Sequence, residues 1–517
     1  MTKAIARVLV FPHTYRDSVE MMRLASLIER EPGVKQVAAV MATPANRALL
    51  EPSGLLIGAA RQAGPDDLVI AVLAADENAA TAALTRAQTL LAGQAELSTG
   101  DSLNEPPASR SLDGAVDALP GANLALISVP GPYAAAEALK ALKRGLNVFL
   151  FSDNVTLDDE VRLKRLAIER GLLLMGPDCG TAILDGIPVG FANVVRTGPI
   201  GVISASGTGL QSVTCLIDRQ GSGISQAIGV GGRDLSAAVG GLMMCEGIQR
   251  LGRDPETRII VLISKPPSAA GLANVGNAVS SIGKPVVACF IGAPPGSLKR
   301  FGLEQVDTLE EAARLAVALS GNAASDRLAI DCAAYPAPSQ PFPFTSGQRF
   351  VRGLFAGGTL AHEAHLLLRE RLGLVAEIEE GNPGNVGGHA VVDLGADAFT
   401  VGRAHPMIDA RLRAEWIVAT AHDPSVAVIL FDVILGFGSH ADPAGTLQPA
   451  ILEAQRVAAA DGRMLAFIAS VCGTTADPQG LALQEDKLRS AGVWVAPSNA
   501  AAARWTLAAL GEDRKGD

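Results

Sequence analysis

A chain of 517 residues, 48% of them hydrophobic, is long enough for about three domains of roughly 150 residues each. A formal net charge of −10, the scarcity of Lys/Arg runs and an aromatic content of 4% exclude a nucleic-acid surface, which needs clustered cations and rings for stacking. The six cysteines, Cys179, Cys215, Cys245, Cys289, Cys332 and Cys472, form no CxxC pair, so neither zinc nor dithiol chemistry is indicated and a reduced cytoplasm is the expected home.

Residues 1–92 read as a strand over Ala6–Phe11, a helix over Ser18–Glu29, a strand over Lys35–Met41, a strand over Asp67–Val72 and a helix running to Leu91. That order predicts a small α+β sandwich. The segment Met1 to Pro12 has neither a long apolar core nor a small-residue cleavage site, and Pro, Gly and charges interrupt the later apolar runs, so neither export nor a membrane partner is expected. Polar, Pro-bearing residues from Gly93 to Pro120 predict a linker.

Beyond it, short runs rich in Val, Ile and Leu alternate with Ala-rich helical stretches, the pattern of buried parallel strands joined by crossover helices. The strands are expected at Leu124–Val129, Asn147–Phe151, Ile200–Ile203, Ile259–Ile263, Pro285–Ile291, Arg352–Phe355, Val426–Phe431, Met464–Ala469 and Val493–Ala496. A second linker is expected over Asp326–Ser346, with Pro336, Pro338, Pro341 and Pro343. The fold class is therefore α/β, with units at 1–92, 121–197, 198–325 and 348–512.

Several strand ends carry small or polar residues, where open parallel sheets bind ligands. They are Pro130-Gly131-Pro132, Gly176-Pro177-Asp178-Cys179-Gly180, Ser204-Ala205-Ser206-Gly207-Thr208-Gly209, Gly229-Val230-Gly231-Gly232-Arg233-Asp234, Ser264-Lys265-Pro266-Pro267 and Ala293-Pro294-Pro295-Gly296. Any one of these could serve only the tight turn that an α/β domain needs. Six in series favour a ligand face. The Ser204–Gly209 turn, between a strand and a helix over Leu210–Arg219, aims backbone amides and the Ser206 and Thr208 hydroxyls at one spot, which suits phosphate or carboxylate.

Lys265 and Arg233 would add full charges, although a strand-end lysine is as often simply solvated. For Asp178 a turn-stabilising role is the expectation. Gly357-Gly358-Thr359 reads as a second anion-binding helix start. His362 and His365 follow it at helical spacing with no third ligand in sequence, so no metal is expected. Arg403, His405, Asp409 and Arg411 form a polar cluster in which His405 is either an acid–base group or part of a loop hydrogen-bond network.

The order and spacing of the GPDC, SASGT, GVGGRD and APPG segments, over about 121–305, resemble the alpha subunit of succinyl-CoA synthetase. His13-Thr14-Tyr15-Arg16-Asp17-Ser18-Val19, Met41-Ala42-Thr43, Gly357-Gly358-Thr359, His405-Pro406-Met407-Ile408-Asp409 and Asp477-Pro478-Gln479 resemble the FdrA family over nearly the whole chain. The resemblance implies a Rossmann-like CoA-binding-type domain followed by two flavodoxin-like ligase domains.

Two departures bear on activity. The synthetases relay phosphoryl through a histidine shortly after the APPG turn, whereas here Ser297-Leu298-Lys299-Arg300-Phe301-Gly302 follows and no histidine occurs between His13 and His362. The carboxylate that supports that relay aligns with Lys265. The glycine-rich turn that holds CoA phosphates also has no clear counterpart.

The FdrA resemblance implies a subunit of a carbamoyl- or acyl-transferase acting on small anions with phosphate or carbamoyl phosphate, as in the oxamate carbamoyltransferase of purine catabolism, together with accessory subunits. Lys265 and His405 are the catalytic candidates, and Ser204, Ser206, Gly207, Thr208, Gly231, Gly232, Arg233, Gly357, Gly358 and Thr359 the binding candidates. Two alternatives stand beside it: an acyl-CoA synthetase using ATP or CoA, and a non-catalytic scaffold subunit. No cofactor follows from the residues themselves; CoA and ATP are those the resemblance offers.

Overall fold

The computed structural model describes residues 5–14, 16, 18–29, 31–51, 54–97, 109, 111–321, 337, 342–378, 386–400 and 404–512. Tyr15, Asp17, Cys332, Pro336, Pro338, Pro341, Arg403 and most of the second linker lie outside the described residues. The chain divides into two compact units, residues 1–121 with 397–404, and residues 122–396 with 405–517.

In the first unit, Leu68–Ala74 is the central strand of an antiparallel sheet, flanked by Ile5–Phe11 and Val34–Met41. Successive side chains of a strand point to opposite faces. Leu68, Ile70 and Val72 accordingly pack against the helices Ser18–Ile28 and Glu77–Leu97, while Val69 and Ala71 close a second core with Leu50, Leu55 and Ala60. Burial on both faces is why the strand reads as an unbroken apolar run. The Glu77–Leu97 helix extends past the expected linker boundary at Gly93, and within that linker Ser111 caps a short helix, Leu112–Ala118, by accepting from Gly114 N at 3.2 Å.

The second unit holds three sheets, so the chain is α/β with mainly parallel strands, as its composition pattern predicts. Leu124–Ile127, Asn147–Leu150 and Leu174–Met175 form a small parallel sheet with the crossover helices Gly131–Lys143 and Leu157–Glu169. A seven-stranded sheet is centred on Thr197–Ser204 and Ile259–Ser264. The hairpin Thr181–Leu184 with Ile187–Gly190 pairs with Ile224–Gly229 in that same sheet, which therefore begins at Thr181 and not at residue 198. The third sheet has six parallel strands centred on Phe350–Phe355 and Val426–Ile434.

These last two sheets share one continuous apolar core. Leu210, Val213 and Ile217 of the Gly207–Arg219 helix belong to the same buried cluster as Leu360, Ala364 and Leu368 of the Gly358–Leu372 helix. Polar ties reinforce the junction. Asp477 accepts from Asn193 Nδ2 (2.7 Å), Val194 N (2.8 Å) and Thr474 N (2.8 Å), and Thr474 Oγ1 donates to Val194 O at 2.6 Å. The small sheet is held by Lys164, fully buried, whose Nζ donates to Glu160 Oε1 (2.8 Å), Asp234 Oδ1 (2.8 Å) and Val230 O (3.0 Å). A lysine can be buried charged only when it is paired and hydrogen-bonded in this way.

Candidate functional site

The six-stranded sheet starts at its middle with Phe350–Phe355, and the parallel part of the seven-stranded sheet starts at its middle with Thr197–Ser204, the next strands being added on both sides of it. Ligands of open α/β sheets bind beyond the carboxyl ends of strands at such a switch. The Ser204 and Gly357 turns occupy those two positions, one in each sheet.

Ser204, buried at its strand end, donates from Oγ to Ser206 O (2.7 Å) and accepts from Ser206 N (2.9 Å), which fixes the turn from below. Ser206 then caps the Gly207–Arg219 helix, its Oγ accepting from Gly209 N at 2.9 Å. Helix geometry leaves the amides of Gly207 and Thr208 without intrahelical acceptors.

The structure brings the two candidate turns together. Ser206 Oγ contacts Thr359 Oγ1, in the first turn of the Gly358–Leu372 helix. Gly357 packs on Thr208 so closely that a Cβ there would lie 3.0 Å from Thr208 Cβ and Cγ2. Two helix starts thus converge, 153 residues apart in sequence.

They are not electrostatically alike. At the second start, the amides of Ala356 and Gly357 already donate to Asp432 Oδ1 (2.8 Å) and Oδ2 (2.9 Å), and Asp432 pairs with Arg413 Nη1 at 2.7 Å, both side chains buried. Burial pushes the Asp432 carboxyl up, against the pull of Arg413 and the two amides. Asp393 lies against Gly358, and its Oδ1 accepts from Gly395 N at 2.9 Å. The expectation of a second anion-binding helix start is therefore corrected: two of the protein's own carboxylates sit at it. At the Gly207 start no carboxylate is recorded against the first-turn amides among the described residues.

The other candidates divide. Gly231 (φ +84°) lies where a Cβ would strike Pro177 O, so it serves close packing of the GPDC turn, and Gly232 faces Ala205 O. Asp178 has a left-handed backbone (φ 54°), the turn role expected of it. Arg233 directs its Nη2 to Val155 O (2.8 Å) and Glu160 Oε2 (2.9 Å), the latter an ion-pair contact, so its guanidinium is held by the small sheet's segment and not by the Ser206 turn.

His405 is half-buried and neutral. Loss of solvent, then the nearby Arg413, lower its pKa to about 4. Its Nδ1 accepts from Met407 N at 3.2 Å, which places the proton on Nε2, packed against Gly395. A ring held in this way suits the loop-network reading better than acid–base exchange. Asp409 and Arg411 pair with each other, Nε to Oδ1 at 2.9 Å.

Lys265 is exposed at the end of Ile259–Ser264 and makes no hydrogen bond or ion pair among the described residues. His362 lies near it. A Cβ on Gly292 would stand 3.8 Å from both His362 Nε2 and Pro266 Cγ. Asp432, Asp393 and Glu377 escaped sequence reasoning altogether, the last of them 3.5 Å from both His362 Nδ1 and His365 Nε2. The signal for Asp432 was present, a lone carboxylate inside the apolar run Val426–Ile434. Among the described residues no group of three His, Cys, Asp or Glu side chains is arranged to hold a metal. A small cavity lined by Cys215, Cys472 and Asn499 has a volume of about 10 Å³, room for one water, and Ser206 does not line it.

Similarity to known proteins fits this geometry. The chain is 40% identical over 508 residues to the Escherichia coli (strain K12) protein YahF, an uncharacterized protein, covering 95% of this chain and 96% of that one. The chain belongs to the YahF family. Residues 354–509 match the family described as CoA-ligase, and residues 1–107 the family described as AllF, heavy metal-associated domain. These matches name YahF and AllF and do not name FdrA.

The relation to the synthetase is also found. A mitochondrial succinate–CoA ligase [ADP-forming] subunit alpha-2 of Trichomonas vaginalis is 32% identical over 194 residues, and the corresponding alpha subunit of Aquifex aeolicus (strain VF5) is 32% identical over 190. The match takes in 35% of this chain and only 60% of each subunit.

The residues do not fit a soft heavy metal in the first 107 positions, where the YahF-family chain has no cysteine and His13 as its sole histidine. The first turn of the small sheet likewise suits a pyrophosphate poorly. Pro130 and Pro132 lack amide protons, and Gly131 packs against the carbonyls of Asp153 and Asn154. No helix of the described residues is long and apolar enough to cross a membrane.

Proposed function

We propose that the chain is a ligase-type acyl-transfer enzyme that handles a phosphorylated acyl group, in the manner of an acyl-CoA synthetase. The observation that carries this reading is the convergence of the Gly207 and Gly358 helix starts, with Ser206 on Thr359 and Lys265 at the end of the strand paired with the Ser204 strand. Phosphate would take the amides of Gly207 and Thr208 and the hydroxyls of Ser206 and Thr208, and Lys265 would supply the full charge. Helix ends contribute only about 0.3–1 kcal/mol per exposed charge, so the lysine should carry most of the discrimination for a dianion.

The CoA-ligase match and the succinate–CoA ligase relatives support this alternative over carbamoyl transfer. Accessory subunits would then serve turnover. The test is thermal unfolding with inorganic phosphate, acetyl phosphate, CoA and ATP, followed by assay for thioester. A ligand at 100 times its Kd stabilises by about 2.7 kcal/mol. Phosphate and acetyl phosphate should raise the Tm of the wild type, and the Ser206→Ala/Thr208→Ala variant, compared with and without ligand, should lose that rise. A response to carbamoyl phosphate alone, with no thioester formed, would return the enzyme to the carbamoyltransferases.

A further inference from the structure

The Gly358–Leu372 helix carries a second functional group one turn beyond Thr359. His362 follows Thr359 by three residues, on the same helix face and about 4.5 Å farther along the axis. Opposite it stand the ends of two strands of the seven-stranded sheet, carrying Lys265-Pro266 and Gly292. The imidazole is held from behind. Its Nδ1 is 3.5 Å from Glu377 Oε1, on the neighbouring strand Val375–Ile378, while Nε2 faces Pro266 and the Gly292 turn. At 3.5 Å the carboxylate orients the ring without a tight hydrogen bond, a spacing typical of catalytic pairs before substrate draws them in.

We propose that His362, oriented by Glu377, is the proton-transfer residue of this site, exchanging a proton through Nε2 with the nucleophile that attacks an acyl phosphate anchored at Lys265. The inference rests on the phosphate reading above. As the bond from a protic nucleophile to the acyl carbon forms and the acyl carbon–phosphate oxygen bond breaks, the nucleophile's proton passes to Nε2 and from there to the departing phosphate. Atoms and charge balance without an oxidant or metal.

The charged and titratable groups around the ring agree with a base. Burial, then Lys265, lowers the His362 pKa, and Glu377 acts the other way, so the ring is neutral near pH 7 with a lone pair to offer. His365, stacked parallel with ring centroids 6.4 Å apart, is the poorer candidate: its Nε2 meets the same Glu377 oxygen, its Nδ1 is buried without a hydrogen-bond partner among the described residues, and Arg369 adds a further opposing charge.

Histidine-selective 13C and 15N labelling of the full chain tests this, with His362→Gln identifying the signal among the seven histidines. The expected ring is a neutral Nδ1–H tautomer at pH 7 that loses that preference in Glu377→Gln. Inorganic phosphate should move its resonance and raise its titration midpoint, and Lys265→Met should abolish the response. In turnover of acetyl phosphate, His362→Gln should lower kcat by about 10²–10⁴ at unchanged KM, whereas Lys265→Met should raise KM. An Nε2–H tautomer, or a His362 signal silent to phosphate while Ser206-dependent binding persists, overturns the dyad and leaves the phosphate site standing. Absence of phosphate binding altogether overturns both.

Discussion

Glu363 shows how a single residue can tie stability to pH in this protein. Its carboxylate is fully buried, accepting from Leu309 N and Asn499 Nδ2, each at 2.8 Å, so it bridges the start of the Leu309–Leu319 helix to the Gly358–Leu372 and Asn499–Leu510 helices. Burial outweighs those bonds and raises its pKa to about 7. An unfolded glutamate titrates near 4.3, so between roughly pH 4.5 and 7 the folded chain holds a proton that the unfolded chain has lost. Stability should fall as pH rises through that window, by on the order of 3 kcal/mol, and then level off. Glu363→Gln should abolish that slope and exceed wild type in denaturant midpoint at pH 8. Identical slopes in urea titrations from pH 5 to 8 would show that the carboxyl ionises normally. The residue was invisible as a site in the sequence because its partners lie 54 and 136 positions away.

At the scale of elements, the central strands were legible because parallel strands covered on both faces are continuous apolar runs, as Ile259–Ser264 is. The Thr181–Gly190 hairpin was missed although its turn carries the signal: Asp185 and Gly186, with φ of 51° and 78°, are an Asp-Gly pair of the kind that favours tight hairpins. Chemistry was harder to read than architecture. Sequence placed Ser206 and Thr359 each at a helix start, yet their meeting, the diversion of Arg233 to Glu160 and the carboxylates at Gly358 all follow from tertiary packing. The closeness of the two starts can be tested at Gly357, whose backbone (φ −107°) tolerates a side chain while Thr208 leaves no space for one. Gly357→Ala should cost about 1–3 kcal/mol by overpacking, against less than about 0.5 for Gly283→Ala, which meets nothing within 4 Å. Equal chemical-denaturation midpoints for the two variants would mean that the helix starts stand farther apart than described.

For the whole molecule, the decisive feature is that both parts of the proposed phosphate site come from one chain. Here the Gly207 helix, Lys265 and the Gly358 helix all belong to residues 122–396 and pack over one apolar core, and the segment from Val194 to Asp477 is cross-tied by buried hydrogen bonds. A ligand that binds across a preformed intrachain junction needs no association step, so its affinity should not depend on protein concentration. Calorimetric titration of the isolated full chain with inorganic phosphate should give one site per chain, the same Kd at tenfold different protein concentrations, and loss of heat in Lys265→Met. If phosphate bound only after accessory subunits were added, or with half a site per chain, the junction between the Ser206 and Thr359 turns would be a structural seam and the anion site would lie at an interface that this chain only half supplies.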